Sequence, residues 1–448
     1  MKKQTPKAIA AVMLTVIAVL VLYIGTTEYP DTTTELQTTQ NASGLEDLFV
    51  AETPEIEEEF SSDSYINTLY SVTLDLPKTA SASDLYVYQQ DIALEGEVQL
   101  QNAIYSTDCM YLIFEHASTS GDIMAAQPTV TVALITYDGT IQTLYNITTV
   151  GGSTYRASAL TSSGIVVVTE DTAEDATSLT NVYIFSTDLS SYTCTPLAST
   201  TSCEIFVLSD SFLLFAARTD YSVYLFKNGV IANTGTISSG TIVDIYEFSN
   251  YFTIIINTIN GYVVTTLSDT LTSIMVRTVT GKTALAVKPV TRDGVQYYLV
   301  AEFYDNQLRI AEYTTTFRDD DMRYIGIGVC DSANVLCNSS TIFALLETSD
   351  VYSLFIINES LQSQLSNSDI FSGTYELYDS VTYSGGYIIL ARQNETAISL
   401  IDIRDDGTSA INMLFTASSS ALILRYSTQN AIVFYLSDSG ISMTSIAI

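Results

Sequence analysis

From about residue 63 onward, short runs of β-branched and aromatic residues alternate with Ser, Asp, Asn and Gly. No later stretch sustains the 3.6-residue period of an amphipathic helix, so the pattern predicts an all-β protein. The stretch SVYLFKNGVIANTGTI (222–237) shows the unit in miniature: an apolar run enters an Asn228-Gly229 turn and a thinner run leaves it. Asn-Gly is a strong hairpin signal because both residues tolerate the positive φ that a two-residue turn requires. Further strand-turn-strand patterns turn at Asp138-Gly139, near Asp188, near Asp269, near Thr315, near Asn358 and at Asp406-Gly407. Successive turns fall about 40–50 residues apart.

A second pair of strands precedes several of these hairpins, as in SCEIFVLSD-SFLLFAARTD (202–220) and TIVDIYEFSN-YFTIIINTI (241–259). The runs SFLLFAA, YFTIII and GYIILA are almost continuously apolar, as expected of strands covered on both faces. Four strands per unit at this period resemble the broad β-propeller superfamily over residues 83–448. The resemblance implies a ring of four-stranded blades, with eight favoured and seven as the alternative. Its units would lie at 103–147, 155–197, 202–236, 241–277, 283–324, 326–367 and 375–413, with an eighth starting at Ser420. That last unit runs out of chain before four strands are complete, and Leu85–Gln101 has strand character without a full blade before it. Closure by an N-terminal strand added to the last blade answers both observations and removes two sheet edges. Two consecutive β-sandwich domains are the competing fold. No Gly-His…Trp-Asp, kelch or Ser-x-Asp-x-Gly-x-x-Trp signature is present, so no family function is carried over.

The beginning of the chain has a different texture. MKKQTPK (1–7) supplies three lysines, Ala8–Tyr23 is apolar apart from Thr15, and no Lys or Arg occurs between residues 8 and 77. By the positive-inside rule, residues 1–7 are expected in the cytoplasm and 8–24 as a transmembrane signal anchor. A cleaved signal peptide, which would make the protein secreted, and a pilin-like assembly helix are the alternatives. Residues 25–82 read as a Thr-rich, acidic stalk containing the run Glu55–Glu59, with the propeller extracytoplasmic at the cell membrane.

Charge narrows the partners. Fifty acidic residues against 17 basic ones leave a net charge of −33, which opposes nucleic acid because no basic footprint is available for phosphates. Catalytic vocabulary is thin. His116 is the only histidine and reads as a strand residue, so no Ser-His-Asp site and no ordinary zinc site can be built around it. No cofactor, metal or catalytic residue is assigned. Asp319, Asp320 and Asp321, and the group Asp402, Asp405, Asp406 and Gly407, read as solvated hairpin turns in preference to calcium loops. Among five cysteines, Cys330 with Cys337 and Cys194 with Cys203 are candidate disulfides, leaving Cys109 over; free thiols are the alternative. Asn41, Asn146, Asn338, Asn358 and Asn394 stand in N-glycosylation tripeptides.

Together these features point to a membrane-anchored binding or scaffold module for protein or glycan partners. The insertion Ala117–Pro128 in the first unit is an expected contact surface. A self-assembling subunit of a surface filament or layer is the first alternative. A carbohydrate-active enzyme, using carboxylates brought together in the propeller channel, is the second.

Overall fold

The computed structural model describes residues 67–74, 79–81, 91–119, 127–149, 151–173, 177–217, 221–248, 251–318, 322–338, 341–383, 385–393, 397–416, 421–425, 427, 430–437 and 440–447. Every regular helix-or-strand element among them is a β-strand. The chain divides at residue 59/60, and all of the described residues belong to the second unit, Phe60–Ile448. The expected anchor at 8–24, Asn41 and Glu55–Glu59 lie outside the described residues.

Eight antiparallel sheets form eight blades. Blade 1 spans 91–147, blade 2 spans 153–198, blade 3 spans 202–237 and blade 4 spans 241–280. Blades 5 to 7 span 283–329, 332–372 and 375–416. Blade 8 takes three strands from 421–447 and its fourth, outermost strand from Asn67–Thr73. That strand pairs antiparallel with Gly440–Ala447. Ser71 Oγ lies 2.8 Å from Thr444 Oγ1, and the Leu74 amide donates to the Ile441 carbonyl at 2.8 Å. The eight-bladed ring closed by an N-terminal strand is therefore present.

Two boundaries differ from those expected. The closing strand NTLYSVT lies inside 25–82, which reads as stalk, because a short strand rich in Thr and Ser looks like the sequence around it. Leu85–Gln101 overlaps instead with the long first strand of blade 1, Asp91–Tyr105. Blade 5 also ends later than residue 324, since Arg323–Val329 is its fourth strand and blade 6 starts at Ser332.

The continuous apolar runs become the second strand of each blade and divide their side chains by parity. In Ser211–Ala217, Phe212, Leu214 and Ala216 pack against blade 2, whereas Leu213 and Phe215 pack against blade 4. One apolar cluster fills each of the eight blade boundaries, including that between blades 8 and 1. Burying each large apolar side chain contributes about 1.5–3 kcal/mol, so the ring is held mainly through its boundaries.

The hairpins between third and fourth strands follow a rule that the turn composition conceals. Asn228 and Gly229 both have positive φ, as expected. In other blades the left-handed position falls on Leu189, Leu271, Phe317 and Leu361, where Gly, Asn or Asp would be anticipated. A left-handed non-glycine residue costs about 1–2 kcal/mol. Leu189, Leu271 and Phe317 are buried in blade-boundary clusters, and that burial offsets the cost.

Candidate functional site

At six of the eight boundaries the first strands of successive blades neighbour one another. Five of them carry a β-bulge at the same place, one residue before Asn102, Ala157, Asp244, Ala286 and Asp379. A bulge leaves one residue unpaired and re-aims those beside it. The polar members use this to join neighbouring first strands. Asn102 Nδ2 donates to Ser158 Oγ at 2.9 Å, tying blade 1 to blade 2. Asp379 Oδ2 accepts from the Ile423 amide at 3.1 Å, tying blade 7 to blade 8.

Asp244 joins blade 4 to blade 5 through a tyrosine. Tyr246 Oη lies 2.5 Å from both Asp244 Oδ2 and the Val287 carbonyl oxygen. A phenol has one proton, so satisfying both contacts requires Asp244 to donate the other. Burial raises the pKa of Asp244 above the ordinary carboxylate value, in agreement with that assignment. Burial raises Asp379 and Glu204 in the same direction.

The remaining buried carboxylates are held within their own blades, except that Glu302 of blade 5 also accepts from blade 4. Asp171 accepts from Thr169 Oγ1 and Asn181 Nδ2, each at 2.7 Å, and from Tyr183. Glu170, on the opposite face of the same strand, accepts from Thr180 Oγ1 at 2.8 Å and from Ser199. Glu302 in blade 5 accepts from Tyr262 Oη at 2.5 Å, Tyr313 Oη at 2.6 Å and Arg309 Nε at 2.9 Å. Glu312 pairs with Arg292 and Arg323. These networks span individual boundaries, and Asp244 and Asp379 stand three blades apart. Each carboxylate thus serves the packing of its own blade or boundary. Among the described residues, no group of three or more His, Cys, Asp or Glu could hold a metal ion.

The singled-out residues fall as follows. His116 is buried, with Nε2 3.0 Å from Thr131 Oγ1, and burial lowers its pKa. All five cysteines are free, which corrects both expected disulfides. Cys337 ends the extended strand Ser332–Cys337 and Cys330 precedes it, so a strand about 16 Å long separates them, beyond disulfide reach. Cys194 packs at the boundary of blades 1 and 2 and Cys203 at that of blades 2 and 3. Asn146 is buried and its Oδ1 accepts from Thr131 Oγ1 at 2.6 Å, so it is no acceptor for a glycan in the folded ring. Asn338 caps its own turn through the Thr341 amide at 2.8 Å. Asn358 does likewise through the Ser360 and Gln362 amides at 3.0 and 2.9 Å. Asn394 and Asp319–Asp321 lie outside the described residues.

Asp402 is buried against Tyr383 Oη at 2.6 Å, while Asp406 holds its turn by accepting from the Thr408 amide at 2.9 Å. Asp405 is an exposed residue of the same turn, so the group is a hairpin. The expected insertion is a longer hairpin than the sequence suggests. Ala117 pairs with Pro128 and Ser118 with Gln127, with residues 120–126 outside the described set. Sequence reasoning missed the bulge positions and the ionic pairs of blade 5. A signal for one pair exists, because Glu302 and Arg309 are symmetric about the Asp305-Asn306 turn.

No protein-family model matches the chain, and no curated protein matches it in sequence. Among solved structures it is similar to BBS1N in complex with ARL6DN, at 12% identity and a TM-score of 0.40, over 64% of this chain and 88% of that one. It is also similar to prolyl oligopeptidase B from Galerina marginata, at 10% identity and a TM-score of 0.46, over 75% and 56% of the respective chains. Dihydro-heme d1 dehydrogenase NirN in complex with DHE matches at 10% identity and a TM-score of 0.43, over 60% and 66%. No activity or partner follows from likenesses of this kind.

Proposed function

We propose that the protein is a membrane-anchored, extracytoplasmic propeller that acts as a binding module for a protein or glycan partner. The lysine-flanked apolar run at 8–24 and the acidic segment after it support the anchoring and the orientation. The observation that carries the binding role is the departure of blade 1 from the other seven. Its first strand has 15 residues, against five to ten elsewhere, and among the described residues only this blade has a fifth strand, Thr79–Ser81. An enlarged hairpin on a rigid ring is a means of presenting contact residues without disturbing the scaffold.

The test replaces residues 119–126 with an Asn-Gly turn in the full chain and compares partners cross-linked at the cell surface. Loss of a partner at an unchanged melting temperature supports the reading. An identical partner set removes it. A second reading, self-assembly, is favoured by exposed apolar side chains on the outer strands of blades 4 and 5, namely Ile274, Val276 and Val329. Light scattering of the full chain and of a Val276→Lys variant distinguishes it.

A further inference from the structure

Blade 5 carries a surface feature that the binding module above does not use. Its second hairpin joins Val295–Tyr304 to Gln307–Thr314, and its outer strand is Arg323–Val329. Arg309 is anchored from below by Glu302, with Nε and Nη2 2.9 and 2.8 Å from Oε2. Its guanidinium carbon lies 5.3 Å from the ring centre of Tyr304 and 5.0 Å from that of Tyr324. Both rings are about half exposed, at 47% and 55%. Among the described residues none accepts from the remaining nitrogen, Nη1.

The residue opposite Arg309 on the outer strand is Gly326. Its φ is not in the left-handed region. A Cβ placed there would meet only Gln307 Nε2, at an ordinary 3.6 Å. Neither conformation nor space therefore requires glycine. The missing side chain leaves the outer strand open beside Gln307, next to an Arg309 side chain that is 12% exposed between its two tyrosines.

Charge gives the ligand its sign. Lys282 Nζ lies 3.9 Å from Glu302 Oε2, so two cations, Lys282 and Arg309, share one carboxylate. Seven of the 17 basic residues fall between 277 and 323, where seven acidic residues balance them, so this segment is neutral in a chain of net charge −33. An anion repelled elsewhere on the surface is tolerated here.

We propose that Tyr304, Arg309, Tyr324, Gly326 and Gln307 form a binding site for an acidic saccharide of the uronate type. The apolar face of the sugar ring lies on a tyrosine, its carboxylate takes the guanidinium, and Gln307 hydrogen-bonds a hydroxyl. With no tryptophan in the chain, tyrosine is the largest flat polar-edged platform it possesses. An extended peptide suits the place less well. The outer strand has a bulge between its pairings with Leu308 and Arg309, which interrupts the edge that strand addition would need.

The experiment is calorimetric titration of the full chain with tetragalacturonate, using maltotetraose as the neutral probe and tetraglutamate as the peptide probe. Tetragalacturonate is expected to bind, and to weaken about tenfold between about 0.05 and 0.5 M salt. Tyr324→Ala and Gly326→Val are each expected to weaken binding by about tenfold or more. Gly326→Val fills that opening with a strand-favouring residue, so its melting temperature stays at the wild-type value or rises. Absent binding, equal affinity for maltotetraose, a preference for tetraglutamate, or undiminished binding by Gly326→Val would each overturn the site. None of these outcomes touches the blade 1 hairpin, whose deletion is read out separately.

Discussion

Glu302 and Arg309 face each other across the Asp305-Asn306 turn of blade 5, where Arg309 Nε donates to the Glu302 carboxylate at 2.9 Å. The carboxylate is fully buried. Its charge and burial push the hydroxyl of Tyr262 well above the ordinary tyrosine range, burial being the larger cause. Removing Arg309 alone takes the nearer of two cations from that buried carboxylate and leaves it Lys282 at 3.9 Å and the Tyr262 and Tyr313 hydroxyls. Arg309→Ala is expected to cost about 3–5 kcal/mol in urea unfolding, and the double variant Glu302→Gln/Arg309→Met distinctly less. Equal losses in the two variants would show that the pair is not coupled.

Asp244 gives a prediction about pH. Burial raises its folded pKa above the reference 3.8, so the favourable contribution of its neutral form is complete below the unfolded pKa. That contribution is lost as pH rises through the folded pKa. Asp244→Asn keeps the acceptor for the Ile245 amide and supplies a permanent donor toward Tyr246. The variant is expected to gain on wild type in melting temperature between about pH 4 and pH 7. A constant difference across that range would refute protonation of Asp244.

Gly139 touches the closing strand. It has φ 89°, and a Cβ there would lie 2.4 Å from Val72 Cγ2. Gly139→Ala must therefore displace Val72 or strain the turn, at a cost of about 1–3 kcal/mol. Amide exchange in Asn67–Thr73 should accelerate while that in blade 5 is unchanged. Uniform acceleration around the ring would mean that closure is not a local event.

The cysteines supply a chemical check. Burial pushes Cys194 up to about 11 and Cys337 up to about 12, so neither is a ready thiolate at neutral pH. Folded protein should react slowly with iodoacetamide at both positions. In denaturant without reductant, all five thiols should titrate. Recovery of only three or one would restore a disulfide.

The repeated unit and ring closure were legible because they depend on repetition. Seven recurrent turns and the all-apolar second strands report a period that any one blade obscures, and the unit after Ser420 shares its sheet with an N-terminal strand. Which segment was borrowed was not legible, since NTLYSVT pairs only through its partner Gly440–Ala447. Leu271 shows the limit at single-residue scale. As a sequence it breaks the rule for left-handed turn positions, and only its burial between blades 3 and 4 explains why the turn forms. The cysteine pairs failed for a related reason, because six intervening residues suggest a small loop only if the backbone folds back, and Ser332–Cys337 is extended.

Alternation, turn residues and period thus determined, from the sequence alone, an all-β chain of repeated four-stranded units, for these are local properties that every blade states again, and the structure decided for eight blades over seven. Tertiary structure decided which polar residues meet. Asn102 with Ser158, Asp379 with Ile423, and Arg309 between Tyr304 and Tyr324 depend on bulges, twist and the approach of neighbouring strands. Such side-chain meetings are set by the closed ring as a whole, and no stretch of the chain encodes them by itself.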